Sequence, residues 1–218
     1  QVWCLLGLLL LLTGCGELVE NEITVISRED GSGTRGAFVE ILGILEKGDD
    51  GSRTDHTTVE AIIVSKTDVM LANVAGDPNA IGYVSLGSLN DYVKVIAVEG
   101  IYPSSEHIKD QSYLISRGFN VAYRKDENDY VKDFLSFVMS QHGQLIVEDD
   151  YVAVVDNPLS YQPSDLSGKL IISGSSSVAP VMERLVEEYQ RLNPRMVIEI
   201  QTSDSTSGIT TVIEGVAD

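Results

Sequence analysis

Basic residues are scarce. The 218 residues carry 15 Lys and Arg against 33 Asp and Glu, a formal net charge of -18. No basic face is left to neutralise a phosphate backbone, which excludes a nucleic-acid partner. Cysteine is nearly absent: Cys4 and Cys15 are the only two, too few for a cysteine-rich metal site. The three histidines, His56, His107 and His142, lie far apart, and no HExxH spacing occurs. No metal and no cofactor are therefore expected. No loop ends in the Lys-Ser/Thr of a P-loop, and none is read as the dinucleotide fingerprint GxGxxG, so nucleotide chemistry is not expected. Ser175–Ser177 has no evident base partner, which argues against nucleophilic catalysis. The chain does not read as an enzyme.

What is present points to a folded, exported protein. The hydrophobic content of 43% is ordinary for a globular chain. The opening "QVWCLLGLLLLLTGC" is uncharged and almost wholly apolar. It is shorter than the roughly 20 residues of a spanning helix and fits the core of an export signal. Its end, Leu12-Thr13-Gly14-Cys15, resembles the lipobox of bacterial lipoproteins, which implies lipidation of Cys15 as the mature N-terminus. Cys4 would leave with the signal. There is no initiator Met or basic n-region, and "TSGITTVIEGVAD" stops where an amphipathic helix finishes. A fragment of a longer protein is expected.

Strand and helix patterns alternate along the chain. "EITVIS" (22–27) is a β-branched strand, and 34–45 has apolar residues at helical spacing. Residues 46–57 read as a polar loop and 59–74 as a helix. Strands are expected over 81–86, 93–98 and 113–124, and helices over 128–140 and 144–148. "DNPLSYQPSDLSG" (156–168) has linker composition. A strand (169–173), a helix (178–192), a strand (196–201) and a helix (209–216) follow. Such alternation predicts an α/β fold with largely parallel pairing.

Three loops share one design. "REDGSGT" (28–34), "SGSSSVAP" (173–180) and "SDSTSG" (203–208) each follow a strand, consist mostly of small polar residues, and open a helix. A helix N-terminus offers free N–H groups and the positive end of a dipole to an anion. Glycine lets the backbone approach, hydroxyls add donors, and Arg28 adds a bidentate charged donor. The competing use of such residues is simple N-capping. The acidic net charge does not argue against an anion site, because distant charges are screened over about 8–10 Å.

These segments resemble the phosphate-binding lipoproteins of bacterial phosphate ABC transporters. "ITVISREDGSGTRGAF" (23–38), "AIGYVSL" (80–86) and "FLSFVMSQHGQLIVEDDYVAV" (134–154) resemble the family's second lobe. "GKLIISGSSSVAPVMERLVEEYQRLNP" (168–194) and "SDSTSGITTVIEGVAD" (203–218) resemble its first lobe. The halves thus stand in reversed order. The resemblance implies a periplasmic-binding-protein-like, two-lobe architecture with mixed, largely parallel sheets flanked by helices. It divides the chain into a signal (1–15), a second-lobe-like domain (16–155), a linker (156–168) and a partial first-lobe-like domain (169–218). The implied phosphate contacts are Arg28, Ser32, Gly33, Thr34, Ser176, Ser177 and Ser205, with Thr206 and Ser207 beside them. Asp30 is the implied acidic residue that orients Arg28. The family's buried Asp, which accepts the proton of hydrogen phosphate, would fall past Asp218.

The implied function is capture of inorganic phosphate for an ABC-type permease, by a receptor held outside the cytoplasm through a lipid anchor in the membrane. Periplasm and Gram-positive cell surface both fit. A non-transport surface sensor or adhesion module with a damaged oxyanion site is the alternative.

Overall fold

The computed structural model describes residues 22–124 and 128–218. The lipobox segment and Cys15 lie outside the described residues. Strand β1 (Thr24–Arg28) runs between β4 (Ile62–Val64) and β5 (Ala80–Ile81), parallel to both. Its β-branched residues suit a strand enclosed on both edges, and Ile26, Ser27 and Arg28 are all buried. Helix α1 (Gly33–Ile41) follows β1, and α2 (Thr67–Gly76) follows β4. Further along, β6 (Gly168–Ser175) pairs in parallel with β7 (Met196–Ser203) over eight residues. Helix α6 (Ala179–Leu192) connects these strands, and α7 (Ser205–Ile213) follows β7. The α/β class with largely parallel pairing is borne out.

Several expectations need correction. The helix expected over 59–74 is the short strand β4 followed by the shorter α2. Ile62, Ile63 and Val64 are β-branched, and a free edge of β1 is there to receive them, so strand pairing wins over helical spacing. The polar stretch 46–57 is mostly a hairpin, β2 (Leu45–Lys47) against β3 (Arg53–Asp55). Helix α1 stops at Ile41 because Gly43 takes φ +68°, a left-handed turn that suits glycine. The strands expected over 81–86, 93–98 and 113–124 reduce to Ile81 in β5 and one bridge, Val98 with Ile101. Beyond Ile81, which pairs with Val25, and that bridge, these segments find no partner strand among the described residues. They border an apolar cavity of about 1490 Å³ lined in part by Val25, Phe38, Met70, Tyr83 and Leu114. A short helix, α3 (Ser105–Lys109), also arises within 99–112.

The larger core joins both sides of the 156–168 segment. Helix α4 (Asp129–Val138) buries Val131, Phe134, Phe137 and Val138 against Leu170, Leu185, Val186 and Tyr189, and α5 (Gln141–Glu148) packs Ile146 and Val147 against the same core. Asn128 and Ser140 cap these two helices through their side chains. The connecting segment is tied down. Asp133 accepts hydrogen bonds from Tyr161 (2.7 Å), Ser164 (2.9 Å) and Tyr189 (2.6 Å). Asn193 donates to the Tyr161 hydroxyl. Burial and the nearby Asp133 carboxylate push the Tyr189 hydroxyl far above its ordinary pKa, so it stays a donor at any physiological pH.

Phe137 is the centre of this core, with 0% exposure and ring contacts to Tyr161 and Tyr189. Phe137→Ala should therefore cost about 3–5 kcal/mol in urea unfolding, through lost transfer energy and the cavity left behind. A loss below about 1 kcal/mol would show that the ring lies outside the stabilising core.

Candidate functional site

Four of the parallel strands end in one place. β1, β4, β6 and β7 each lead from their carboxyl end into a helix, α1, α2, α6 and α7 respectively. Open α/β sheets collect ligands at such ends, where helix N-termini point their free N–H groups. The three loops chosen from sequence are all here, and β4 brings a fourth.

Arg28 lies at the centre. Its side chain is 1% exposed, so each donor needs a partner. Nε and Nη2 donate to the two carboxylate oxygens of Glu29, both at 2.8 Å. Nη1 donates to Thr67 Oγ1 at 3.1 Å, and Nη2 also reaches Ser176 Oγ at 3.3 Å. The acidic partner is thus Glu29, not the expected Asp30. Asp30 is 97% exposed and pairs with Arg35 instead. Tyr83 holds the end of β1 from the other side. Its hydroxyl accepts from the Arg28 N–H at 3.0 Å, and its ring stacks on Phe38.

The hydroxyls then fall into two groups. Ser32 is buried and caps α1, accepting from the Arg35 N–H. Ser207 is likewise committed locally, donating through both its N–H and its hydroxyl to Asp204, the cap of α7. Capping, the competing explanation, therefore accounts for these two residues. It does not account for Thr34, Ser176 and Ser177. Val178, not a serine, holds the cap position of α6, and no side chain caps that helix. Ser177 is fully buried and shares a 2.7 Å hydrogen bond with Thr34 across the cleft. Thr67 joins both sides: its hydroxyl lies 3.2 Å from those of Ser176 and Ser177, and its N–H donates to Ser176. An arginine and four hydroxyls thus meet in one buried cluster, a chemistry suited to an oxyanion.

Ser205 closes the other side. A Cβ added to Gly33 would lie 2.5 Å from Ser205 Oγ, and one added to Gly31 would lie 2.4 Å from Asp204 Oδ1. Glycine at both positions lets the two loops touch. Thr206 secures the contact, donating from its N–H (3.3 Å) and hydroxyl (3.4 Å) to the Gly31 carbonyl.

Gly31, Gly33 and Gly36 do satisfy the GxGxxG spacing, contrary to the reading of the sequence above. The third glycine of a dinucleotide fingerprint is needed for close helix–strand packing. Here a Cβ on Gly36 would meet nothing within 4 Å, so the spacing carries no such role. Thr67 and Glu29 are the site residues that sequence reasoning missed. The signal for Thr67 was "VSKTD" (64–68), a small polar loop between a β-branched run and a helix.

Two tests follow from this geometry. Thr67→Val keeps the shape but leaves the Arg28 Nη1 donor unmatched, and should cost about 1.5–3 kcal/mol of stability in urea unfolding. An unchanged midpoint would remove Thr67 from the network. The second test concerns Asp204. The Ser207 hydroxyl, then its N–H, holds the Asp204 carboxyl below its ordinary pKa. A depressed folded-state pKa gives stability that is present above the ordinary carboxylate range and is lost as pH falls through the lower folded value. Asp204→Ala should lower stability at neutral pH by about 0.5–2 kcal/mol and flatten the acid limb of a stability–pH profile. An acid limb as steep as the wild type's would contradict this.

The comparisons with known proteins bear on the family. A family model described as "PBP superfamily domain" matches residues 16–142. The chain is 46% identical, over 200 residues, to a protein named "Phosphate-binding protein PstS 2" from Streptococcus agalactiae, covering 91% of this chain and 68% of that protein. A crystal structure of a phosphate ABC transporter phosphate-binding protein from Streptococcus pneumoniae superposes with a TM-score of 0.69 at 43% identity. It covers 90% of this chain and 76% of that one. A Clostridium perfringens structure titled as a putative phosphate ABC transporter substrate-binding protein with bound phosphate gives 0.55 at 35% identity, over 62% of this chain and 52% of that one. The streptococcal match is longer than either half of this chain, so the order of halves that looked reversed is shared with those relatives. On family model, sequence and fold together, the chain belongs to the PBP superfamily, among the phosphate-binding proteins of phosphate ABC transporters.

Proposed function

We propose that this protein captures inorganic phosphate outside the cytoplasm and hands it to an ABC-type permease. The observation that carries the reading is the burial of Arg28 between hydroxyls of two separate loops. Arg28 and Thr34 stand on one side, and Ser176 and Ser177 on the other. An anion entering there would replace hydroxyl–hydroxyl bonds with charge-assisted ones, which are roughly twice as strong. The N-termini of α1, α2, α6 and α7 add dipoles of the right sign. Gly33 and Ser205 complete the wall, with Ser32 and Ser207 holding the helix ends in place. Glu29, as the carboxylate bonded to Arg28, fixes the guanidinium before any ligand arrives.

Binding without catalysis is the consistent chemistry. The cluster holds hydroxyls and one arginine whose carboxylate partner, Glu29, is engaged with the guanidinium, and no base is set against a nucleophile. A lipid on Cys15, following export, would hold the receptor at the membrane beside its permease. Release would come from parting the Thr206–Gly31 contact and the Thr34–Ser177 bond, a hinge-like opening. The sensor or adhesion alternative is not favoured, because the relatives matched over nine-tenths of the chain are named as phosphate-binding proteins of transport systems.

Calorimetric titration of the chain from Gly16 with phosphate, with sulfate as control, tests the proposal. Phosphate should give saturable heat and sulfate much less. Arg28→Met should weaken phosphate at least about tenfold. Absence of phosphate heat in the wild type would sink the proposal.

A further inference from the structure

The site described so far is short of positive charge. The Arg28 guanidinium is already bonded to the Glu29 carboxylate through two hydrogen bonds at 2.8 Å. Asp204 adds a second carboxylate against Gly31, and Asp30 is balanced by Arg35. Arg28, Glu29 and Asp204 together leave the cluster with no net positive charge. Hydroxyls and helix dipoles favour a monoanion, but a dianion calls for a further cation.

Arg117 stands where that cation is needed. A Cβ on Gly33 would meet Arg117 Nη2 at 3.3 Å, on the same face as Ser205 Oγ at 2.5 Å. Arg117 borders the same cavity as Thr34 and Ser85. Among the described residues no carboxylate is paired with it, and its guanidinium carbon lies 5.8 Å from the centroid of the Phe119 ring. Such a ring supports a cation without neutralising it. One flank of Arg117 is open to solvent, yet the surrounding protein desolvates the guanidinium enough to lower its pKa. It remains charged at any physiological pH.

We infer that Arg117 is a second cationic contact of the anion site, reaching the ligand past Gly33 and matching the second negative charge of a dianion. The inference rests on the phosphate-capture reading above. It assigns to Arg117 the choice of ionisation state, while Arg28 and the hydroxyls take either form. A unit charge added to the ligand strengthens its attraction to Arg117 in proportion, whereas hydrogen bonds from hydroxyls change less.

Phosphate titrations of wild type, Arg117→Gln and Arg117→Lys decide it, run at acidic pH, where the monoanion dominates, and at alkaline pH, where the dianion does. Arg117→Gln should weaken binding by about tenfold to a hundredfold at alkaline pH and clearly less at acidic pH. Arg117→Lys should restore much of the loss. Equal affinity of Arg117→Gln and wild type at both pH values would overturn the inference and leave phosphate capture standing. An equal loss at both pH values, unrelieved by lysine, would also overturn it, by showing a structural role. No phosphate heat from the wild type would overturn both. Circular dichroism of each variant checks the fold, and the exposed flank of Arg117 predicts native spectra.

Discussion

The buried Arg28 guanidinium constrains everything around it. A cation with 1% exposure cannot persist without compensation, and breaking a buried ion pair costs several kcal/mol, about 3–5. The chain meets this demand from four directions. Glu29 comes from the residue next door, Thr67 from the start of α2, Ser176 from the end of β6, and Tyr83 fixes the backbone at Arg28 itself. Two of these partners are 39 and 148 residues away in sequence. The parallel pairing of β1 with β4 sets Thr67, just past β4, beside Arg28, whereas Ser176 reaches it from the end of a separate sheet, β6 with β7. Fold and site are thus one constraint viewed at two scales.

The same geometry explains how a chain of net charge -18 can hold an anion. Most of its acidic groups sit at the surface in ion pairs or loops, as with Asp149 and Asp150 against Arg184. Water and salt screen them within about 8–10 Å. Inside the cleft the relevant charges are few: Arg28, Glu29, Asp204, and Arg117 at the edge. Dipoles and hydroxyls there act in a medium of lower dielectric, where each is worth more than in water.

Much of this was legible in the sequence. Small polar loops after β-branched runs marked Arg28–Thr34, Ser173–Pro180 and Ser203–Gly208, and all three loops meet in the structure. Thr67 was hidden because Ile62-Ile63-Val64 could be counted into a helical stripe, and only pairing with β1 shows it to be a strand. The choice between Glu29 and Asp30 depends on which side chain the turn after β1 directs inward, which spacing does not reveal. The segments 93–98 and 113–124 have strand composition but need partners to become strands, since a ladder belongs to a pair of segments. Arg117 lies in one of them, and its place beside Gly33 is set by tertiary packing alone.

The central claim is that the cluster around Arg28 is the place where the anion sits. A crystal structure of the chain grown with phosphate tests it most directly. The account predicts a phosphate within hydrogen-bond distance of Arg28, Thr34, Ser176 and Ser177, with the Thr34–Ser177 bond replaced by bonds to the anion. A phosphate bound elsewhere, with the Arg28 network and the hydroxyl pair intact, would contradict it.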